Sequence, residues 1–511
     1  MTENKKKGTV FLVGAGPGDP GLLTIRAKEC IEKADVLVYD YLANEIFLEY
    51  AKPDAELIYV GKKAGSHTKT QDEINSIICE KALAGLMVTR LKGGDPFIFG
   101  RGGEEAQELL KAGVSFEIVP GITSAISVPA YAGIPLTHRD HTATVAFVTG
   151  HEDPSKDQSG ISWEKLSTGV GTIVFLMGIG NLKNICQELI KNGRSPETPV
   201  AIIHRGTHPG QRTVTGTLKD IYETAQKEKI KPPGIIIVGD VVGLRKELNW
   251  FETRPLFGKK IVVTRAREQA SSFLAGLREH GADCIEFPTI EIVPPEDWGP
   301  LDRSIEDIGN YTWLLFTSVN GVKYFFKRLY DKGKDVRSLG DIKVGAIGPK
   351  TAEAVREYGI IPDLVPSQYR AEAVIEAFKK FRADDLKILL PRASKAREIL
   401  PDELEKMGAQ IDVIDAYSTV MPGNKVEKVM KMLETNEIDM ITFTSSSTVT
   451  NFMEMFGDKG TQVKTWLKDV DIASIGPVTS ETAKKTGLNI TVEPADYTID
   501  ALTDAIVKHY S

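Results

Sequence analysis

Residues 13–24 read VGAGPGDPGLLT, directly after the apolar run TVFLVG (9–14). Gly14, Gly16 and Gly18 alternate in a GxGxG pattern that follows a predicted strand. Such glycines allow a sharp turn or a close approach of backbone to ligand. A dinucleotide-binding loop has the different spacing GxGxxG and runs into a helix whose amino end meets pyrophosphate. Here Pro17 removes a backbone donor, and Pro20 stands near the start of the next helix. The phosphate cradle is weakened but not refuted. On this stretch alone a dinucleotide site and a purely structural turn both stand.

Working outward, short β-branched runs alternate with helical patterns. DVLVYD (35–40), the start of LMVTRLKGGDP (86–96), GTIVFLMG (171–178) and GIIIVGD (234–240) are predicted strands. This is α/β architecture with mostly buried strands. Charge, proline and glycine cluster in RKELNWFETRPLFGKK, and a fresh strand, KIVVTRA (260–266), follows. The reading is a first domain over 8–245, a linker over 246–257 and a second domain over 258–511.

Composition bounds the function. The 511 residues are 41% hydrophobic and 26% charged, ordinary for a soluble chain of several domains. No apolar run reaches the length of a membrane span, and MTENKKKG lacks the apolar core of a secretory signal. Cys30, Cys79, Cys186 and Cys284 lie far apart, without a CxxC, which argues against a disulfide scaffold or a cysteine-built metal site. His138, His141 and His151 show no recognised ligand spacing, so no metal is expected. The net charge of −7 disfavours nucleic acid as the main ligand. A cytoplasmic enzyme is the simplest class.

Further loops carry ligand-type residues. RLKGGDPFIFGRGGEE (90–105) places Gly93, Gly94 and Asp95 at a strand end. Asp95 suits an amine or hydroxyl ligand, or closes an Asx-type turn. VPGITSAISVPAYAGIPLTHR (119–139) offers small groups at Gly121, Thr123 and Ser124, suited to a flat ligand against backbone. IIHRGTHPGQR (202–212) adds Gly206 and Thr207 beside Arg205 and Arg212.

Together with VLVYDYLA, VGKKAG, LMG and RGTHPGQRTVTGTL, these stretches resemble the tetrapyrrole methylase family, of the uroporphyrinogen-III C-methyltransferase kind, over nearly all of 8–245. The resemblance implies S-adenosylmethionine (SAM) bound in a folded form between two α/β lobes, and a homodimer. It places Pro17, Gly93, Gly94, Asp95, Ile98, Thr123, Ser124, Met177 and Gly206 at the SAM site. It makes Asp40 of VYD the proton acceptor and Lys62 of VGKKAG the proton donor. Read without it, Asp40 is also a strand-end cap, and Lys62 is a surface charge or a ligand of a substrate carboxylate. SAM carries an electrophilic methyl, a pyrrole carbon is the nucleophile, and a bridge proton must then leave to a nearby base. An octacarboxylate macrocycle calls for a cationic rim, for which Arg101, Arg139, Arg205 and Arg212 are candidates.

The second half repeats itself. KIVVTRAR (260–267) matches KILLPRAS (387–394), and LFTS (315–318) matches TFTS (442–445), each 127 positions on. IGPKTAEAVREYG (347–359) matches IGPVTSETAKKTG (475–487) at 128. The expected fold is therefore a duplicated α/β unit. Its loops present Thr317 and Ser318 in one copy and Thr444 and Ser445 in the other, either as carboxylate ligands or as helix caps.

Those pieces, with DVIDAYSTV (412–420), resemble uroporphyrinogen-III synthase over about 258–511. The resemblance implies two lobes, 258–292 with 415–511 and 293–414, and no cofactor. It implies closure of hydroxymethylbilane with inversion of ring D, with Tyr417 assisting departure of the hydroxyl. Tyr417 also reads as a core aromatic. The two resemblances combine into one expectation. The second half makes uroporphyrinogen III, and the first methylates it at C2 and C7 to precorrin-2. A methylase for a later corrin precursor and a non-catalytic tetrapyrrole-binding protein are the alternatives.

Overall fold

The computed structural model describes residues 7–61, 69–151, 160–265, 267–366, 371–382, 385–394, 399–422 and 426–511. Internal contacts divide the chain into two compact units. One is the chain up to 259 with 277–283 and 510–511; the other is 260–276 with 284–509.

In the first unit, β1 (Thr9–Gly14), β2 (Val36–Tyr39), β3 (Glu56–Tyr59), β4 (Val88–Lys92) and β5 (Ser115–Val119) form a parallel sheet in the order β3-β2-β4-β1-β5. Successive side chains on a strand point to opposite faces. Val10, Leu12, Val36, Val38 and Val88 thus enter one core, while Val13, Leu37 and Leu91 enter another. Both faces are covered, so β1 and β2 read as nearly continuous apolar runs. A second, mixed sheet follows from β6 (Val145–Thr149), β7 (Thr172–Leu176), β8 (Pro199–His204), β9 (Arg212–Thr217) and β10 (Gly234–Val238), in the order β6-β7-β10-β8-β9. Register decides where the loops emerge. Gly14 on β1 pairs with Lys92 on β4, and Val13 pairs with Val119 on β5. The three loops leaving these strands therefore start side by side, at carboxyl ends where open α/β sheets bind ligands.

The stretch 246–257, expected as a linker, is part of the first unit. Phe251 is only 4% exposed, and its ring lies 4.8 Å from that of Tyr131. Trp250 Nε1 donates to Ala130 O at 2.9 Å, and Glu252 Oε1 accepts from Gln211 Nε2 at 2.8 Å and from Thr213 Oγ1 at 2.6 Å. Charge and proline suggested a free connector. The aromatic pair and one carboxylate make it a strap instead.

The second unit contains β11 (Lys260–Val263), β12 (Asp283–Glu286, whose first residue counts with the first unit), β13 (Glu291–Val293), β14 (Trp313–Phe316), β15 (Lys343–Ala346), β16 (Lys387–Ala393), β17 (Gln410–Val420), β18 (Met440–Phe443) and β19 (Asp471–Ser474). They form two sheets, β12-β11-β18-β19 and β13-β17-β16-β14-β15. Apart from the added β13, the orders correspond strand for strand to the sequence repeat. The expected lobe limits need correction. β17 runs on to Val420, where its last residues pair antiparallel with Glu291–Val293. Residues 291–292 and 415–420 thus belong to the sheet expected to span only 293–414. Alternation along a strand does not show where it stops pairing.

If 246–257 is a strap, Phe251→Ala destabilises the first unit by about 3–5 kcal/mol, the usual cost of emptying a buried aromatic site. Leu248, 47% exposed, is the control; Leu248→Ala is expected to stay within about 0.5 kcal/mol. Urea titration of both variants reads the difference, and equal midpoints would mean a free linker.

Candidate active site

The loop after β1 does not feed a helix directly. It crosses to the loop after β4: Gly16 N donates to Gly94 O at 3.1 Å, and Gly94 N donates to Gly16 O at 2.7 Å. Both glycines have left-handed backbones, with φ +75° at Gly16 and +70° at Gly94. A 3-10 turn, Pro20–Leu22, intervenes before the helix Ile25–Lys33, whose cap is Thr24. The geometry of a dinucleotide fingerprint is not formed. Gly14 and Gly121 are glycines because three backbones touch. A Cβ on Gly121 would lie 2.3 Å from Gly94 O, and one on Gly14 would lie 2.5 Å from Gly121 Cα.

Side chains tie further loops to this contact. Asp95 Oδ1 accepts from Phe97 N at 2.8 Å and Oδ2 from Gly121 N at 3.0 Å. This is the Asx-type turn, extended to brace a second loop. Asp19 N donates to Thr207 Oγ1 at 3.3 Å, and Asp19 Oδ2 accepts from Tyr131 OH at 2.7 Å. Burial and this carboxylate push the Tyr131 phenol well above its usual value. A Cβ on Gly18 would lie 2.1 Å from His208 Nε2, and one on Gly206 would lie 2.3 Å from Val128. Thr123 caps the helix Ser124–Tyr131 through Ala125 N at 3.3 Å. Pro17, Gly93, Gly94, Asp95, Thr123, Ser124 and Gly206 thus belong to loops that converge. Ile98 and Met177 are exposed, Met177 at the end of β7. Among described residues, seven non-glycines have positive φ, and five of them are Phe99, Arg101, Met177, Arg205 and Thr207. Such strain concentrates at ligand-binding sites.

Asp40 stands at the end of β2, partly exposed. Its Oδ1 accepts from Leu42 N at 3.1 Å, the expected local cap, and its Oδ2 from Arg90 Nη2 at 3.2 Å. Arg90 is 3% and Lys92 4% exposed, both on β4, and Glu105 is completely buried. Glu105 Oε1 accepts from Lys92 Nζ at 2.7 Å, Gln71 Nε2 at 3.1 Å and Arg90 Nε at 3.4 Å. Burial first, and Arg90 second, hold Lys92 below the usual lysine value, against the pull of Glu105 and Asp40. Two buried cations and two carboxylates balance here. The sequence reading did not single out Arg90, Lys92 or Glu105. The available signal was two basic residues within a strand buried along its whole length. Lys62 lies outside the described residues.

The four rim arginines differ. Arg101 Nε pairs with Glu104 at 2.9 Å, and Arg212 with Glu228 at 3.2 Å. Arg139 and Arg205 are exposed, Arg205 with φ 48°.

In the second unit, Ser318 Oγ accepts from Gly321 N at 3.0 Å and caps the helix Val319–Asp331. Ser445 caps the helix Ser446–Glu454 in the same way, accepting from Thr448 N at 3.3 Å. Thr317 and Thr444 are half-buried just before them. Tyr417 is 7% exposed, against Tyr324, with its phenol 3.1 Å from Ser318 Oγ. Among the described residues, no three His, Cys, Asp or Glu side chains cluster as a metal site, and no helix is long and apolar enough to cross a membrane.

A family model described as Tetrapyrrole (Corrin/Porphyrin) Methylases matches residues 9–222, and one described as Uroporphyrinogen-III synthase HemD matches 271–504. The porphyrin biosynthesis protein HemD of Ruminiclostridium josui is 39% identical over 501 residues, which is 98% of each chain. The S-adenosyl-L-methionine-dependent uroporphyrinogen III methyltransferase of Methanosarcina barkeri is 56% identical over 237 residues, 46% of this chain and 93% of its own. The crystal structure of uroporphyrin-III C-methyl transferase from Thermus thermophilus complexed with S-adenyl homocysteine is 41% identical and covers 46% of this chain and 100% of its own, with a TM-score of 0.40.

The glycine contacts predict an unequal pair. At Gly94 the nearest atoms to a new Cβ are 3.9 Å away, so Gly94→Ala costs only the left-handed strain, about 1–2 kcal/mol. Gly121→Ala meets backbone on two sides and is expected to cost more; a urea midpoint no lower than that of Gly94→Ala would contradict this. His208 adds a pH effect. Burial and then Arg205 lower its folded value, against Asp283 and Asp19. A depressed histidine stays neutral in the native state while the unfolded chain takes up a proton. Stability is thus lost as pH falls below about 6.5, the unfolded value. Hydrogen exchange over 14–19 is expected to quicken there, and His208→Asn to remove the dependence.

Proposed function

Because the chain belongs to the family that joins a tetrapyrrole methylase to a uroporphyrinogen-III synthase, we propose that it forms uroporphyrinogen III and methylates it twice, at C2 and C7, to precorrin-2. The observation that carries the methylase half is the bare-backbone wall at Gly14, Gly94 and Gly121, with Asp40 held at the next strand end. That wall fits a flat adenosyl group. Pro17, Gly93, Gly94, Asp95, Ile98, Thr123, Ser124, Met177 and Gly206 would hold SAM. When bound, SAM supplies an electrophilic methyl. Both Asp95 oxygens accept from backbone, and each keeps a lone pair for a ligand hydroxyl.

The chain's residues do the rest. Asp40 takes the proton that leaves the bridge carbon after the pyrrole carbon gains its methyl. Lys62 is the proton donor of this reading. Arg139 and Arg205, with Arg101 and Arg212 released from their ion pairs, bind carboxylates of the macrocycle. The methylase half forms the homodimer, and the protein works in the cytoplasm.

In the second unit, hydroxymethylbilane loses its hydroxyl as water. The electrophilic carbon left behind is attacked by the substituted carbon of ring D. The resulting spiro compound fragments and recloses with that ring inverted. Tyr417 donates a hydrogen bond to the departing hydroxyl, and Ser318 orients the phenol. Thr317, Thr444 and Ser445 hold carboxylates. No cofactor enters this half. The matching strand orders support descent of the two lobes from one duplicated unit.

Anaerobic turnover of the whole chain tests both halves. Hydroxymethylbilane without SAM is expected to give the type-III isomer, and with SAM precorrin-2. Type-I isomer alone would sink the synthase half, and unmethylated type III the methylase half. Asp40→Asn is expected to lower methyl transfer by about 10²-fold or more, as for loss of a general base. Tyr417→Phe is expected to slow closure by about tenfold, the worth of one charge-assisted hydrogen bond, and to raise the type-I share.

A further inference from the structure

We propose that Arg90 is a positioning residue that aims the Asp40 carboxylate, and that strand β4 thereby sets the proton acceptor and the SAM loop as one rigid element. This rests on Asp40 being the base of the proposed methylation. Both Asp40 oxygens are held, Oδ1 by Leu42 N and Oδ2 by Arg90 Nη2. The plane of the carboxylate is therefore fixed. Arg90 is in turn fixed by its own contacts: Nη1 donates to Leu91 O at 3.0 Å, and Nε faces the buried Glu105 at 3.4 Å. Glu105 also holds Lys92, the residue just before Gly93 and Gly94. The carboxylate that anchors the arginine thus anchors the root of the glycine loop. Leu42, whose N–H completes the hold on Asp40, packs against that loop, since a Cβ on Gly93 would lie 2.4 Å from Leu42 Cβ.

The arginine is a matter of shape as well as charge. Its planar fork serves Glu105, a carbonyl and Asp40 at once, which a lysine cannot do from one nitrogen. A proton acceptor works only within hydrogen-bond reach of the proton it takes, and small misplacements are costly. A buried arginine that served charge balance alone would need no contact with the partly exposed Asp40.

The test uses the full chain, with uroporphyrinogen III carrying hydrogen or deuterium on its bridge carbons. Arg90→Gln, Arg90→Lys and Asp40→Asn are compared with the unaltered protein for kcat, KM, SAM affinity and isotope effect. Arg90→Gln is expected to lower kcat by about 10²-fold, with KM and SAM affinity changed by no more than about threefold. Its isotope effect is expected to rise, because proton removal becomes the slow step. Arg90→Lys is expected to lose about tenfold, keeping the charge but not the span. Unaltered kcat in either variant overturns the proposal, as does a lowered kcat with an unaltered isotope effect. Should Arg90→Gln fail to fold, Arg90→Lys decides by the same measures. The parent reading fails separately: Asp40→Asn at full rate, or an unaltered protein that never methylates, removes it whatever Arg90 does.

Discussion

Three backbones in contact organise the first unit. Gly14, Gly94 and Gly121 belong to three neighbouring strands' loops, and no side chain fits at Gly14 or Gly121. The constraint begins as register, because β1 pairs with β4 and β5 so that their ends align. It continues as chemistry. Where side chains are absent, the wall presented to a ligand is peptide, which is flat and polar at its edges. Asp95 then braces the wall from within by accepting a backbone N–H on either side of it.

Buried charge complements this wall. Arg90 and Lys92 lie on the buried strand β4, and Glu105 meets them from the helix Gly102–Lys111, beside a core of Val10, Leu12, Val36 and Val38. Placing ions there is costly unless they are paired and hydrogen-bonded. The cost is offset by mutual pairing, and the network reaches the surface at Asp40 alone among its four members. The strap 246–257 braces the loops as well. Glu252 binds Gln211 and Thr213, and Gln211 Oε1 accepts from Thr207 N at 2.9 Å. A stretch that reads as a connector thus supports the loop that holds Asp19.

The second unit shows economy of a different kind. Ser318 and Ser445 each cap a helix after a buried strand. Helix capping and ligand binding are not exclusive, because an amino end with a hydroxyl cap still presents free N–H groups. Among the described residues, only one of the two serines also bonds a tyrosine. The asymmetry follows from β17, which carries Tyr417 beyond the length of its counterpart β12.

Glycine spacing, the VYD and GGDP stretches and the offset repeat determined the α/β class, the order of the two halves and the families they resemble. These signals are local, or repeat at a constant spacing, so they survive without coordinates. Only the tertiary structure decided the partners. Arg90 and Asp40 are 50 positions apart, and their meeting depends on β2 lying beside β4. Nothing in the sequence marked Glu105; burial against Lys92 singled it out. The strap and the true end of β17 were hidden for the same reason. Whether an aromatic packs, or a strand keeps pairing, depends on what the fold brings opposite it. The GxGxG loop itself joins both levels. Its glycines announced a close approach, and the fold showed that the approaching group is another stretch of the same backbone.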